Sequence, residues 1–231
     1  MKALIGLLAV LVLLAGALVA ADRIGESYAS SLIAEQLTSQ LRLSQNPKVR
    51  ITGVPFLTQW ASGHYQEVDV AIPSVTAQSI TVSDVQATIR NVQTKPFITS
   101  TSDVTAATAG SVDLDGVVAF SEIPLPSGFT AAASGSQLKV SGSVTVLGAT
   151  VPVSATENVT LHGSTVSFNP TSVQAQAGGF QVNVAGSVAS QLRASVNVSG
   201  LPFGVHLTGV AVGPSGLVAT AQGRNVTFAS A

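Results

Sequence analysis

Apolar positions recur at helical spacing between Asp22 and Leu43, and the spacing predicts the chain's one long helix there. Placed at about 100° per residue, Tyr28, Ala29, Leu32, Ile33, Leu37, Leu41 and Leu43 cover an arc of roughly 220°. Ser27, Ser31, Glu35, Thr38 and Arg42 share the narrow remainder. A helix lying on one sheet face needs an apolar stripe of only about 100°. The wider arc predicts sheet on more than one side of the helix, or a bound apolar molecule filling part of the gap.

Asn46-Pro47 ends this helix, because the residue before a proline avoids the helical region. Beyond it the apolar period shortens to two, the signature of strands. Val49 and Ile51 alternate, and Gly53–Trp60 is an apolar segment broken by Pro55, read as a corner or short turn. Val68, Val70 and Ile72 then face inward while Glu67 and Asp69 face out. Ile80 and Val82 hold one parity and Val85, Ala87 and Ile89 the other, which predicts a bulge near Ser83-Asp84. Val112–Phe120 reads as a strand, and Leu138, Val140, Val144 and Val146 as another. Gly148 turns that strand into Val151–Leu161. Two further strands are expected, one from Val166 and Phe168 and one from Val173 to Ala177, separated by Asn169-Pro170. Val184, Val188 and Leu192 predict a short helix over Asn183–Arg193. Val205/Leu207 and Val210/Val212 change parity at Gly209, and Gly213-Pro214-Ser215-Gly216 turns the chain into Leu217–Phe228. The pattern predicts an α+β fold of mostly antiparallel strands in a strongly curved sheet, with one long N-terminal helix and a second short one.

Composition adds a compartment. Met1-Lys2 precedes the uncharged run Ala3–Ala21, which reads as a signal peptide or an uncleaved signal-anchor. Nineteen residues at about 1.5 Å each reach roughly 28 Å, enough for a bilayer core. Ala15-Gly16-Ala17 and Val19-Ala20-Ala21 both offer small residues to a signal peptidase. Residues 22–231 are then expected as a single exported domain. Charged residues are only 9% and the net charge is −1, so nothing steers the chain toward nucleic acid. Without cysteine, disulfides and thiolate chemistry are excluded.

Candidate chemistry is sparse. Asp113-x-Asp115 puts two carboxylates on one strand face, a spacing that suits a hard cation or an acid/base pair, but Asp115-Gly116 is equally a turn signal. Glu157 interrupts an apolar face: either a bulge turns it outward, the simpler reading, or it is a buried carboxyl with a raised pKa. His64, His162 and His206 have no metal-ligand spacing, and no nucleophile motif or phosphate-binding glycine loop is present. Asn158, Asn197 and Asn225 open N-x-S/T triplets that strand composition explains. Phe56, Leu57 and Trp60 lie in one turn-like segment and Phe203 in another. They are core, or else the rim of a lipid site at a membrane surface.

Two of these segments also carry a resemblance. Val54-Pro55-Phe56-Leu57-Thr58-Gln59 with Gly63-His64-Tyr65-Gln66-Glu67-Val68-Asp69-Val70 resembles the opening signature of the LmeA-like phospholipid-binding family of actinobacterial envelope proteins. Leu201-Pro202-Phe203-Gly204-Val205-His206-Leu207-Thr208, with Gly216-Leu217-Val218 and Gly223-Arg224-Asn225-Val226, resembles its closing signature. The resemblance implies a tubular-lipid-binding-like fold, a curved sheet around a long helix, and a phospholipid partner, phosphatidylinositol-type lipids among them. It implies no cofactor, no metal and no catalytic residue. Its place would be the outer side of the cytoplasmic membrane, anchored or released. Together with the apolar helix face, the two motifs give an expected lipid-binding set of Leu32, Ile33, Leu37, Leu41, Phe56, Leu57, Trp60 and Phe203. Arg42, Lys48, Arg50 and Arg193 are the basic residues that could meet a headgroup phosphate. Two other readings stay open: a ligand-free β-rich scaffold or adhesion module, and an enzyme on envelope glycolipids using Asp113, Asp115 or Glu122.

Overall fold

A computed structural model of the chain describes residues 2–77, 80–100, 103–104, 106–146, 149–177, 180–181 and 185–228. Its elements are α1 (Lys2–Leu41), β1 (Lys48–Thr52), α2 (Phe56–Ser62), β2 (His64–Ala77), β3 (Ile80–Gln93), β4 (Thr108–Ala119), β5 (Thr130–Ser134), β6 (Gln137–Val146), β7 (Ala149–His162), β8 (Thr165–Ala177), β9 (Phe180–Gln181), α3 (Ala185–Leu192), β10 (Ala194–Asn197), β11 (His206–Val212) and β12 (Gly216–Thr227). The strands form two six- and five-membered ladders, β1-β2-β3-β4-β12-β11 and β10-β8-β7-β6-β5, with β9 on β8. This is the expected α+β class with mostly antiparallel sheets, and neither sheet closes into a barrel. The backbone divides into two compact units. One comprises Met1–Ile72, Ala87–Val112 and Arg224–Ala231, the other Pro73–Gln86 and Asp113–Gly223.

In the first unit, α1 runs without a break from the uncharged run through Ala21-Asp22 into the predicted helix, ending at Leu41. Its buried positions are Asp22, Ala29 and Ser30, with Glu26, Ile33, Gln36, Leu37 and Gln40 half-buried on the same side. At 100° per residue these fall in a stripe of roughly 120°, and half-buried Leu32 and Leu41 flank it, so the covered positions span about 180° of the wide arc expected. The stripe includes five polar residues that an apolar pattern passes over, while Tyr28, counted in the arc, is 53% exposed. Two carboxylates one turn apart fasten the helix. Asp22 Oδ1 accepts the Leu57 N–H at 2.9 Å. Glu26 Oε1 accepts the Ile51 N–H at 3.2 Å and the Ser30 hydroxyl at 3.0 Å. The Leu57 amide is one of the orphan donors at the start of α2, so Asp22 serves as a cap borrowed from another helix. Close approach is possible because residue 25 is glycine: a Cβ there would stand 3.1 Å from Phe56 Cε1.

The corner expected over Gly53–Trp60 is a turn leading into α2. Gln59, inside α2, is 8% exposed and ties three elements together. Its Nε2 donates to the Thr52 carbonyl at 3.2 Å, and its Oε1 accepts the Gln66 N–H at 3.0 Å. Gly63 ends α2 with φ 71°, and its N–H donates to the Gln59 carbonyl at 2.8 Å. A Cβ at that position would meet the Thr94 carbonyl at 2.5 Å, so glycine is required twice over.

In the second unit the expected bulge in β3 sits at Asp84, which adopts φ 51°. Val82 and Val85 consequently face the same way, both toward Gly116. Leu138, Val140, Val151, Val153 and Phe168 form the core, and Val188 and Leu192 of α3 are buried in the same cluster. α3 matches the helix expected near Asn183–Arg193, with residues 182–184 outside the described set, as is the turn at Gly148. The two strands expected around Asn169-Pro170 are one strand, β8. Its ladder with β7 jumps from Thr156↔Ser172 to Glu157↔Pro170, which leaves Thr171 as the extra residue. Pro170 has no N–H to give the ladder, so a bulge beside it costs little. The Thr171 hydroxyl fills in by donating to the Thr156 carbonyl at 3.0 Å.

That placement corrects the simpler reading of Glu157. The bulge belongs to β8, so β7 keeps its alternation and Glu157 stays on the inward parity with Val151, Val153 and Ala155. It is 0% exposed and neither oxygen has a hydrogen-bond partner. Burial pushes its carboxyl up to about 7. A carboxyl that holds its proton more tightly folded than unfolded weakens the fold as pH rises from about 4.5 to about 7, because the unfolded chain releases the proton first. The cost above pH 7 is on the order of 3 kcal/mol. Glu157→Leu is expected to raise the urea midpoint at pH 8 and leave it nearly unchanged at pH 4.5; equal midpoint shifts at the two pH values would contradict a buried, protonated Glu157. Asp22→Ala leaves the Leu57 amide without its acceptor and is expected to cost about 1–2 kcal/mol, read as a lower thermal midpoint of the full chain in detergent.

Candidate functional site

Between α1 and the strands of the first unit lies a cavity of about 60 Å³, room for roughly five water molecules. Ile33 and Leu37 face it from α1, Ile51 from β1, Val68 from β2 and Val92 from β3, with Phe228 following β12. Each arrives there for a local reason. Ile33 and Leu37 are one turn apart on the helix stripe. Ile51 and Val68 are directly opposed in the β1–β2 ladder, so both point the same way. Val92 would face out if β3 alternated regularly from Ala87. Asn91 instead takes φ 54°, a conformation asparagine tolerates, and the added step returns Val92 to the buried side. Phe228 is held by its N–H donating to the Ala107 carbonyl at 2.9 Å.

Polar groups enter this lining in an unusual state. Tyr65 is 3% exposed and its hydroxyl makes no regular hydrogen bond. Burial pushes that hydroxyl above its usual 10, and the neighbouring Thr94 side chain offsets the rise only in part. Gln40 Nε2 is likewise buried without a partner. An unpaired buried donor costs about 1–3 kcal/mol, and the cavity beside these two has room for an oxygen, of water or of a ligand, to accept from them. No Asp, Glu, Lys, Arg or His lines the cavity. The arrangement can shelter hydrocarbon and donate hydrogen bonds to an uncharged oxygen on it.

Of the expected lipid-binding set, Ile33 and Leu37 reach the cavity. Leu32 and Leu41 lie on α1 off the lining and are half-buried. Phe56 is 1% exposed, packed on Tyr65 with ring centroids 6.2 Å apart, so it backs the cavity from behind. Leu57 and Trp60 are half-buried on α2, and Trp60 meets Phe97 edge to face at 5.2 Å. Phe203 belongs to the second unit, in the turn Pro202–Gly204. Tyr65, Gln40, Val68, Val92 and Phe228 were not in the expected set. Tyr65 and Val68 do fall within the first family-like motif. Phe228 carries no periodic signal at all.

The other candidates stay apart. Asp113 is half-buried and Asp115 exposed on β4, and Glu122 Oε2 accepts the Thr81 N–H at 3.4 Å. His64 is exposed, with Nδ1 2.9 Å from the Ser62 carbonyl, and His162 and His206 are exposed on the second unit. Among the described residues no three His, Cys, Asp or Glu gather to hold a metal. Lys48 and Arg50 are exposed on β1, Arg42 follows α1 with φ 50°, and Arg193 is in the second unit.

No curated protein and no solved structure matches this chain. The LmeA-like phospholipid-binding family matches over residues 20–222, from the last turn of the apolar run to the penultimate motif. That span takes in α1 from Ala20 onward, the cavity lining but for Phe228, and both motif segments except Gly223–Val226, and the chain belongs to the LmeA-like phospholipid-binding family.

Proposed function

We propose that the protein is an exported, membrane-anchored phospholipid-binding protein of the cell envelope that shelters lipid hydrocarbon between α1 and the sheet of its first unit. The observation that carries this reading is the apolar cavity, with its unpaired Tyr65 hydroxyl and Gln40 amide. Family membership supports phospholipid as the ligand class. Burying a chain there gains about 0.8 kcal/mol per CH₂, and a lipid ester carbonyl supplies the acceptor that the two donors lack. At about 60 Å³ the cavity holds only the end of a chain, so deeper insertion separates α1 from β2 and β3. Helix α1 is built for that, since polar Gln36 and Gln40 form the stripe's outer end while Asp22 and Glu26 hold its inner end.

The membrane part of the proposal rests on the apolar run. Among the residues with described side chains no helix is long and apolar enough to cross a membrane, and residues 3–10 of the run fall outside that set. The described part, Leu11 to Val19, is exposed at every large residue, with Leu13 at 73%. A cut after Ala21 would leave the buried Asp22 clamp on a fraying end, which favours an uncleaved anchor. Phosphatidylinositol-type lipids and transfer between membranes extend the same reading, with Lys48 and Arg50 on the exposed face of β1 as candidate headgroup contacts.

Native mass spectrometry of the full chain from detergent is expected to show retained phospholipid. Tyr65→Phe is the discriminating variant. Without lipid it removes an unpaired buried hydroxyl and is expected to raise the thermal midpoint. With lipid it removes a donor worth about 1 kcal/mol and is expected to weaken retention roughly fivefold. No bound lipid in the parent chain, or retention that Tyr65→Phe leaves unchanged, would remove the reading.

A further inference from the structure

Beyond the apolar run, four large apolar side chains among the described residues of the first unit lie more than half exposed: Ile24 at 71%, Tyr28 at 53%, Val54 at 74% and Phe97 at 55%. They are far apart in sequence and connected in space. Ile24 and Tyr28 are one turn apart on α1. The Tyr28 hydroxyl donates to the Thr99 carbonyl at 3.2 Å, two residues beyond Phe97. Phe97 donates its N–H to the Trp60 carbonyl at 2.9 Å, and Trp60 Nε1 donates to the Ile98 carbonyl at 3.0 Å. Leu57 on the same helix is tied to Asp22, and Val54 opens the turn into that helix. Phe97 adopts φ 55°, a left-handed backbone that a bulky side chain rarely accepts. Strain of this kind persists where the surroundings enforce it, and here it accompanies a ring turned toward solvent.

Height along α1 identifies the occupant. Ile24 stands about 4.5 Å and Tyr28 about 10 Å past Ala21, the last residue of the apolar run, at a rise of about 1.5 Å per residue. A bilayer's headgroup layer extends roughly 5–8 Å beyond the hydrocarbon on each side. Ile24 therefore falls within that layer and Tyr28 just past its outer edge, the zone where Trp and Tyr gather in membrane proteins, with exposed Arg23 next to Ile24 and exposed Lys95 two residues before Phe97 for lipid phosphates. Asp103 holds the backbone just after Phe97 by accepting the Thr99 and Ser100 N–H groups at 3.2 and 3.3 Å.

We propose that Ile24, Tyr28, Val54, Trp60 and Phe97 form a docking face that seats the first unit in the interfacial layer of the bilayer into which α1 inserts. The face deepens the reading of a membrane-anchored lipid-binding protein and rests on its anchor, not on its cavity. Docking this way presses the unit against its lipid source, so that the chain need not cross open water.

Trp60 is the chain's one tryptophan and reports the contact directly. The full chain reconstituted in phosphatidylcholine–phosphatidylglycerol vesicles is expected to show Trp60 emission quenched more by lipids brominated near the glycerol end of their chains than by lipids brominated near the methyl end. Combining Val54→Ser with Phe97→Ser is expected to cut that quenching at least threefold, with the thermal midpoint and the lipid retained in native mass spectrometry unchanged. Absent quenching, stronger quenching from the methyl end, or quenching that the double substitution leaves intact would each overturn the docking face. No retained lipid in the parent chain, with its Trp60 quenching as expected and lost in the double substitution, would instead count against the cavity and leave the face standing.

Discussion

Two carboxylates on one turn of helix hold the first unit together. Asp22 and Glu26 take N–H groups from Leu57 and Ile51, and each of those amides lies on a different element. With Gly25 between them letting α2 approach, the helix is fixed at its inner end against both α2 and β1. Among the described residues no carboxylate clamps the far end, where the Thr38 hydroxyl meets Asn46 Oδ1 at 3.1 Å and Ile33, Leu37 and Gln40 look into a cavity. The asymmetry explains why hydrophobic burial alone does not close the gap: one end is set by directional bonds, and the other is left to apolar contacts that a lipid chain can replace.

A cavity with two unpaired donors is a costly thing to build. The second unit shows the alternative, in which Leu138, Val140, Phe168, Val188 and Leu192 are buried almost completely. Both units carry one buried polar anomaly, and the two differ in kind. Glu157 sits among apolar neighbours with nothing to bond to, and its burial is expressed as a raised pKa. Tyr65 and Gln40 sit beside space. The first is a stability cost that pH reveals; the second is a cost that a ligand's oxygen removes.

Much of the fold is legible in the sequence, because alternation survives in most strands and the parity changes are honest signals. The slip between Val82 and Val85 marks the bulge at Asp84, and Val184, Val188 and Leu192 mark α3. The readings that missed share one cause. Glu157 was assigned to a bulge because apolar periodicity cannot say which of two paired strands holds the extra residue; Pro170 on the partner decides it. Counting apolar side chains on the helix likewise passes over Asp22, Glu26, Gln36 and Gln40, which are covered through hydrogen bonds or beside the cavity. For the site, the helical half was visible at Ile33 and Leu37. Val92 depended on the backbone of Asn91, and Phe228 on pairing across the chain's ends, and neither leaves a periodic trace. The two clamping acids did leave one: an i, i+4 pair directly after an uncharged run, in a chain where charge is scarce.

Hydrocarbon between α1 and its sheet is the claim on which the rest turns, and covalent capture tests it most directly. A phospholipid carrying a photoreactive diazirine near the end of one acyl chain, incubated with the full chain and irradiated, is expected to label Ile33, Leu37, Tyr65 or Phe228 when the adducts are mapped by peptide sequencing. Labels confined to the exposed residues around Trp60 and Phe97, or to the second unit, would show that the chain end never enters the cavity and would contradict the account.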